Sequence, residues 1–470
     1  MTETRNNLLP GNMLHDCLMT FCNVHPSCGT GYNNSFNSMQ RKMLKWKFIL
    51  SILLVISLLT GCSKPDKRVV TFAVGGAPNE IAFWEKLVSE FESETGIKVS
   101  ILRQPTDTDQ RRQGLLIPLK ARRDDPDVFL MDVVWIAQFG ASGWLEPLDN
   151  YLEKKNLPLD QFFDRVLNLA DRYKGRLIAL PVYVDAGLLY YRQDLLGKYG
   201  FKNPPDTWNE LLDYSLKVQK EMRKTEPDFY GFVWQGAQYE GLICNFLEFA
   251  GSEGGIIIRD DKIRLNTPEN IRATQFMYDL IRKYRISPPN TFTEMKEEEV
   301  RIFFQQGKAL FARNWPYAWA LYQSEDSKIK DEVSISSIPH FPFAKSVSTL
   351  GGWHIGVSRY SNVKEESFAL VKFVTSFATQ KKLALELGWN PARKDVYADS
   401  EVLRKAPHFG TLRGVFENAE ARPDLPYYSQ ISEVLQQNIN AILSGTVSPA
   451  EGLTTSEKEA QRIMDNYKEK

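Results

Sequence analysis

Between Arg68 and Ile101 the hydrophobic period of the chain switches from two to about 3.6 and back again. Arg68 to Val74 reads as a strand, and Gly75-Gly76-Ala77-Pro78-Asn79 as a turn with Asn79 as helix cap. From Glu80 to Glu94, Ile81, Trp84, Leu87, Val88 and Phe91 fall on one helical face, and Gly96 ends the helix. Ile97, Val99 and Ile101 then alternate with polar residues as a second strand. Strand, helix, strand in this order implies a parallel sheet with a right-handed crossover. An all-helical or all-β chain is excluded at once.

The alternation continues. A helix is predicted over Asp109–Arg122, weakened or kinked at Gly114 and Pro118. Strands follow at Asp127–Met131 and Leu177–Val184. A new block opens with a helix over Trp208–Arg223 and a strand over Tyr230–Trp234. Thr267 caps a helix over Pro268–Tyr284 with proline at its first position. A helix over Glu297–Gln306 stops at Gly307, a strand over Ala309–Ala312 follows, and the C-terminal third is helix-rich. With 470 residues, 43% of them hydrophobic, there is room for two α/β lobes, the chain crossing between them more than once.

The N-terminus carries an export pattern. Lys45 and Lys47 precede the uncharged, mostly apolar stretch Phe48–Thr60, short for a permanent span and suited to a signal peptide. Leu59-Thr60-Gly61-Cys62 resembles a lipobox, which makes Cys62 the lipidated first residue of the mature chain, held by a tether over 62–68. Residues 1–42 read as a mis-assigned start or a disordered leader, and 43–61 as the signal peptide. Past Cys62 only Cys244 remains, in the apolar run Leu242–Phe246, so no intramolecular disulfide is available and the thiol reads as a small buried hydrophobe. Formal net charge is zero and no Lys/Arg run exceeds three residues, which excludes a nucleic-acid surface.

In open α/β sheets, ligands bind beyond the carboxyl ends of the strands. Glu80 opens the helix after the first strand, a place that the helix dipole also favours for an acid. Arg111 and Arg112 follow the second strand, Asp132 the third, and Asp185 ends the strand over Leu177–Val184. Carboxylates that accept and a guanidinium that donates are what a polyhydroxylated ligand needs. Asn314-Trp315-Pro316-Tyr317-Ala318-Trp319 follows a strand and Gly351-Gly352-Trp353-His354 precedes one; Pro316 and the glycine pair place these rings on shaped loops. Such rings can stack on sugar C–H faces. Trp84, on an apolar helical stripe, belongs to the core, and His354, without a partner at ligand spacing, to an ordinary hydrogen bond rather than a metal site. No GxGxxG, P-loop, GxSxG, HExxH or paired CxxC occurs, so nothing arms a nucleophile or holds a cofactor.

The segments GAPNEIAFW, RQPTDTDQRR, DPDVFLMDVVW, ALPVYVDAGLLYYR, FFQQGKALFARNWPYAW and TLGGWHIGVSRYS, in this order, resemble the family 1 extracellular solute-binding proteins of ABC importers, the trehalose/maltose-binding proteins among them, over residues 69–470. The resemblance implies a two-lobed type II periplasmic-binding fold that hinges shut on sugar in an interlobe cleft. It implies Glu80, Arg112, Asp132, Tyr183 and Asp185 as the polar set, Trp315, Tyr317, Gly352 and Trp353 as the facing wall, and Arg422 as a late arginine that reaches the ligand. The first lobe is expected over 69–184 plus about 355–405, and the second over 187–351 plus about 406–470, with crossings near Val184–Gly187 and Gly351–Ile355. The expected protein is a monomer, anchored by lipid outside the cytoplasm, that passes a disaccharide such as trehalose or maltose to ABC transmembrane subunits and is not an enzyme. Two alternatives stay open: a secreted glycoside hydrolase using cleft carboxylates, and a receptor for iron or polyamine, against which the Trp315 and Trp353 segments speak.

Overall fold

Strand β1 (Val69–Gly75) sends Val70, Phe72 and Val74 to one face and Ala73 to the other, and both faces are covered. The structure, a computed structural model, describes residues 69–149, 151, 157–406, 409, 412 and 419–468; the leader, the signal segment and Cys62 lie outside them. Helix α1 (Pro78–Thr95) lays Phe83, Trp84, Leu87 and Phe91 on the first face. Its cap is Ala77 rather than Asn79, and Glu80 turns back so that its Oε2 accepts the Ala77 N–H at 3.2 Å. Gly96 ends the helix in the left-handed region, φ 71°, which glycine adopts without cost.

Strand β2 (Lys98–Gln104) runs parallel to β1, as does β3 (Val128–Asp132) on the other side. Between β2 and β3, helix α2 (Thr108–Lys120) covers the second face with Leu115, Leu116 and Leu119. The helix runs through Gly114 and Pro118 without a break, and burial of these leucines offsets the poor helical propensity of both residues. Strand β4 (Leu180–Ala186) is reached later than the predicted strand, with Asp185 inside it rather than at its end.

After Gly187 the chain enters a second sheet through β5 (Leu188–Arg192). Helix α3 (Trp208–Met222), strand β6 (Tyr230–Val233), helix α4 (Glu240–Gly251), helix α5 (Pro268–Arg282), helix α6 (Glu297–Gln305), strand β7 (Ala309–Asn314) and strand β8 (Val333–Ser336) follow. Thr207 and Thr267 cap α3 and α5 through their side-chain oxygens. The order of this sheet is β8-β5-β7-β6, with β7 parallel to β6 and the other pairs antiparallel.

Strand β9 (Ser348–Val357) returns the chain to the first sheet, antiparallel to both β3 and β4. Gly351, Gly352 and Trp353, expected on a loop, lie inside this strand. Gly352 explains how: its φ is 136°, and a Cβ there would stand 2.6 Å from the Tyr183 carbonyl, so only glycine keeps the pairing, which shifts register between Trp353 and His354. Helix α7 (Lys364–Val374) packs on this sheet, and β10 (Ala419–Glu420) pairs the start of β9. The last helices, α8 (Tyr428–Ser444) and α9 (Pro449–Lys468), close over the hydrophobic core of the second sheet with Ile431, Leu435, Ile439, Leu453 and Met464. Val396, Val402 and Ala406 also join residues of the second sheet, while Leu383, Leu387 and Trp389 stay with the first.

Candidate functional site

The ends of both sheets converge on a cavity of about 340 Å³, within the roughly 300–1,000 Å³ usual for small-ligand sites. Nine of the ten expected contact residues line it: Glu80, Asp132, Tyr183, Asp185, Trp315, Tyr317, Gly352, Trp353 and Arg422. Arg112 does not. Successive residues of a helix point about 100° apart, and it is Arg111 that faces the cavity, while Arg112 donates to Gln138 Oε1 at 3.1 Å.

The carboxylates are held in different states. Asp132 Oδ1 accepts from the Val134 N–H at 3.1 Å and from Arg422 Nη2 at 3.1 Å. Asp185 Oδ1 is buried with no hydrogen-bond partner among the described residues. Burial pushes the Asp185 carboxyl up to about 8, and the charges of Glu80 and Asp132 push the same way. Burial likewise raises Glu80 to about 7, with Arg111 opposing and Glu298 adding to the rise. Gly76 makes room for Glu80, since a Cβ there would fall 1.6 Å from Glu80 Oε2. Both carboxyls are buried, and Asp185 Oδ1 is left without a partner among the described residues. A ligand rich in hydroxyl donors supplies what they are missing.

The rings are braced by polar neighbours. The Arg111 guanidinium lies 4.4 Å from the centre of Trp353, whose edge meets Trp135 at 5.3 Å. Tyr317 donates its hydroxyl to Glu298 Oε1 at 2.7 Å, and the Trp315 indole N–H reaches Glu297 Oε1 at 3.5 Å. Trp389 also lines the cavity and packs on Tyr183, ring centres 4.0 Å apart. On the cavity lining, buried Arg422 pairs with Asp132 at 3.1 Å and with Glu240 at 2.9 Å, and Lys296 pairs with Asp107. Carboxylates on the lining outnumber its three cations, Arg111, Lys296 and Arg422. That balance disfavours a phosphorylated or carboxylated ligand.

Sequence reading missed Glu240, Lys296, Glu297, Glu298 and Trp389. The acidic triplet Glu297-Glu298-Glu299 opening α6 was a usable signal; Glu240, ahead of an apolar run, and Trp389 gave none. His354 is, as expected, hydrogen-bonded: its Nδ1 meets Asp171 Oδ1 at 2.6 Å, both fully buried behind the site. Cys244 is buried and stands at the cavity wall, and burial pushes its thiol up. Among the described residues no group of three or more His, Cys, Asp or Glu side chains converges to hold a metal ion.

Known proteins share this architecture. The chain is 34% identical over 429 residues to a "Probable ABC transporter-binding protein" of Deinococcus radiodurans, covering 90% of this chain and 99% of that one. It is 25% identical over 381 residues to the maltotriose-binding protein of Pyrococcus abyssi, covering 78% and 75% of the two chains. Among solved structures, maltose-bound MalE3 of T. maritima superposes with a TM-score of 0.80 at 37% identity, over 84% of this chain and 99% of that one. Residues 77–381 match the sequence model of the bacterial extracellular solute-binding proteins, and with the α/β architecture and the cavity between its sheets this places the chain in that family.

Proposed function

We propose that the chain captures a neutral sugar of disaccharide size, of the trehalose or maltose type, and hands it to the transmembrane subunits of an ABC importer. One observation carries the reading: a buried, unpartnered Asp185 oxygen and the half-buried Trp315 ring share one cavity. The carboxylate serves hydroxyls and the ring serves a C–H face, the two chemistries a pyranose presents together. The maltose bound by MalE3 and the name of the maltotriose-binding relative support the sugar assignment. The binding lobes are the two sheets with their helices, hinged where the chain passes Gly187 and again between Ser336 and Ser348, ahead of the crossing expected near Gly351–Ile355, which lies inside β9. A ligand touching both biases the closed arrangement by its differential affinity. The export pattern ending at Cys62 supports anchoring by lipid on the outer side of the membrane.

A thermal-shift panel of trehalose, maltose, sucrose, maltotriose and glucose tests this. A ligand at 100 times its Kd adds about 2.7 kcal/mol of apparent stability. At least one disaccharide should raise the midpoint more than glucose does; no shift with any of them sinks the reading. Release of glucose from maltose would instead favour a hydrolase.

A further inference from the structure

Behind Trp315 lies an ion pair that does not line the cavity. Arg313, on β7, donates through Nε to Glu248 Oε2 at 2.8 Å, and its Nη2 serves Glu248 Oε1. Both side chains are 1% to 2% exposed. A buried pair of this kind is rarely the most stable way to fill a space, since apolar residues of the same volume often do better. Its presence leaves room for a role other than stability.

The neighbours supply one. Glu248 Oε1 also accepts the Thr349 N–H at 3.1 Å, on the strand that returns to the first sheet. Gly187, where the chain leaves β4 for β5, sits against the same atoms: a Cβ there would lie 2.0 Å from Glu248 Oε1 and 2.6 Å from Arg313 Nη2. Ser348 Oγ donates to the Gly187 carbonyl at 2.9 Å, so the two crossing segments are joined beside the pair. On its other side the Arg313 guanidinium stacks 3.9 Å from the centre of the Trp315 ring. The far edge of that ring meets the hinge strand again, where a Cβ at Gly351 would be 3.0 Å from Trp315 Cζ3.

We propose that Arg313 and Glu248 are positioning residues for ligand capture, tying both strand crossings to the rear face of Trp315 so that the ring meets the ligand only when the crossings are closed on the pair. This rests on the sugar-binding reading. Loss of the fork loosens the ring from the hinge and leaves the cavity chemistry in place.

The test is a double-mutant cycle in calorimetric titrations with maltose, on the chain from Ser63 onward. Arg313→Lys keeps the charge but loses the fork and the flat stack; it should weaken maltose binding by about tenfold. In a Trp315→Ala background the same change should cost nothing further, because the ring it positions is gone. Gly187→Ala keeps both charges and displaces Glu248 by its Cβ; it should give the same pattern, and it carries the test if Arg313→Lys does not fold. Variants that melt earlier yet bind maltose as tightly as wild type would make the pair merely structural and overturn the proposal, as would additive losses with Trp315→Ala. If wild type binds no maltose, the cycle is run with whichever sugar of the thermal-shift panel it does bind; if it binds none of them, the sugar reading falls and the proposal with it.

Discussion

Trp84 and Trp315 are the same residue in two regions that use it oppositely. Trp84 is fully buried, edge-on to Phe72 and Phe83 at 5.6 Å each and tilted against Trp389 at 6.1 Å. Trp315 is half-buried, backed by a guanidinium and tied at its indole nitrogen to Glu297. A ring among hydrocarbons is held by area and shape. A ring backed by charge has one face occupied and one face left for something else. Neighbours, more than residue type, decide which tryptophan is enclosed by the core and which presents itself to the cavity. Trp389 joins the regions, touching Trp84 on one side and the cavity on the other.

The contrast breaks most easily in the core. Trp84→Ala should cost about 3–5 kcal/mol in denaturant unfolding while the folded fraction binds sugar with unchanged affinity. A comparable loss of affinity would merge the two regions into one. Asp185→Ala should do the reverse, weakening sugar binding by about 1.5–3 kcal/mol, or about 10- to 150-fold, in calorimetry. Ligand-free stability should not fall, since a buried unpartnered carboxyl gives the fold no hydrogen bond to lose. Trp315→Ala should weaken binding by about 1–3 kcal/mol; normal binding with an early melt would return Trp315 to the core.

A separate effect is in pH. An unfolded aspartate loses its proton near pH 4, whereas folded Asp185 holds its proton up to about 8. Between these values the unfolded state binds fewer protons, so this group makes the ligand-free fold less stable as pH rises, and the penalty levels off above about 8. Glu80 acts with the same sign up to about 7. Asp185→Asn should flatten the decline between pH 5 and pH 8 in chemical denaturation. An identical slope in the variant would mean that Asp185 titrates normally.

The first sheet was legible because its residues report locally: Val70, Phe72 and Val74 against Ala73 state both covered faces within one strand. Asp132 was legible by its place at the end of β3, and Asp185 by following an apolar strand, which in fact runs one residue past it. The pair Arg111-Arg112 was legible after the second strand, but that Arg111 faces the cavity, and not the Arg112 implied by the family resemblance, depends on the direction of each helix position, about 100° between neighbours. The glycine pair was misread because Gly352 needs its partner Tyr183, 169 positions away, to show why a strand would tolerate it. Glu240 with Arg422, and His354 with Asp171, are pairs separated by 182 and 183 positions, and no local pattern joins them.

The central claim is that this cavity is a sugar site with Asp185 and Trp315 as its two contrasting contacts. A crystal structure of the chain from Ser63 onward grown with saturating maltose tests it most directly. The expected result is one sugar within the cavity, a hydroxyl within hydrogen-bond distance of Asp185 Oδ1 and a ring face stacked on Trp315. Maltose bound elsewhere, or a cavity that holds only water at saturating sugar, would contradict it.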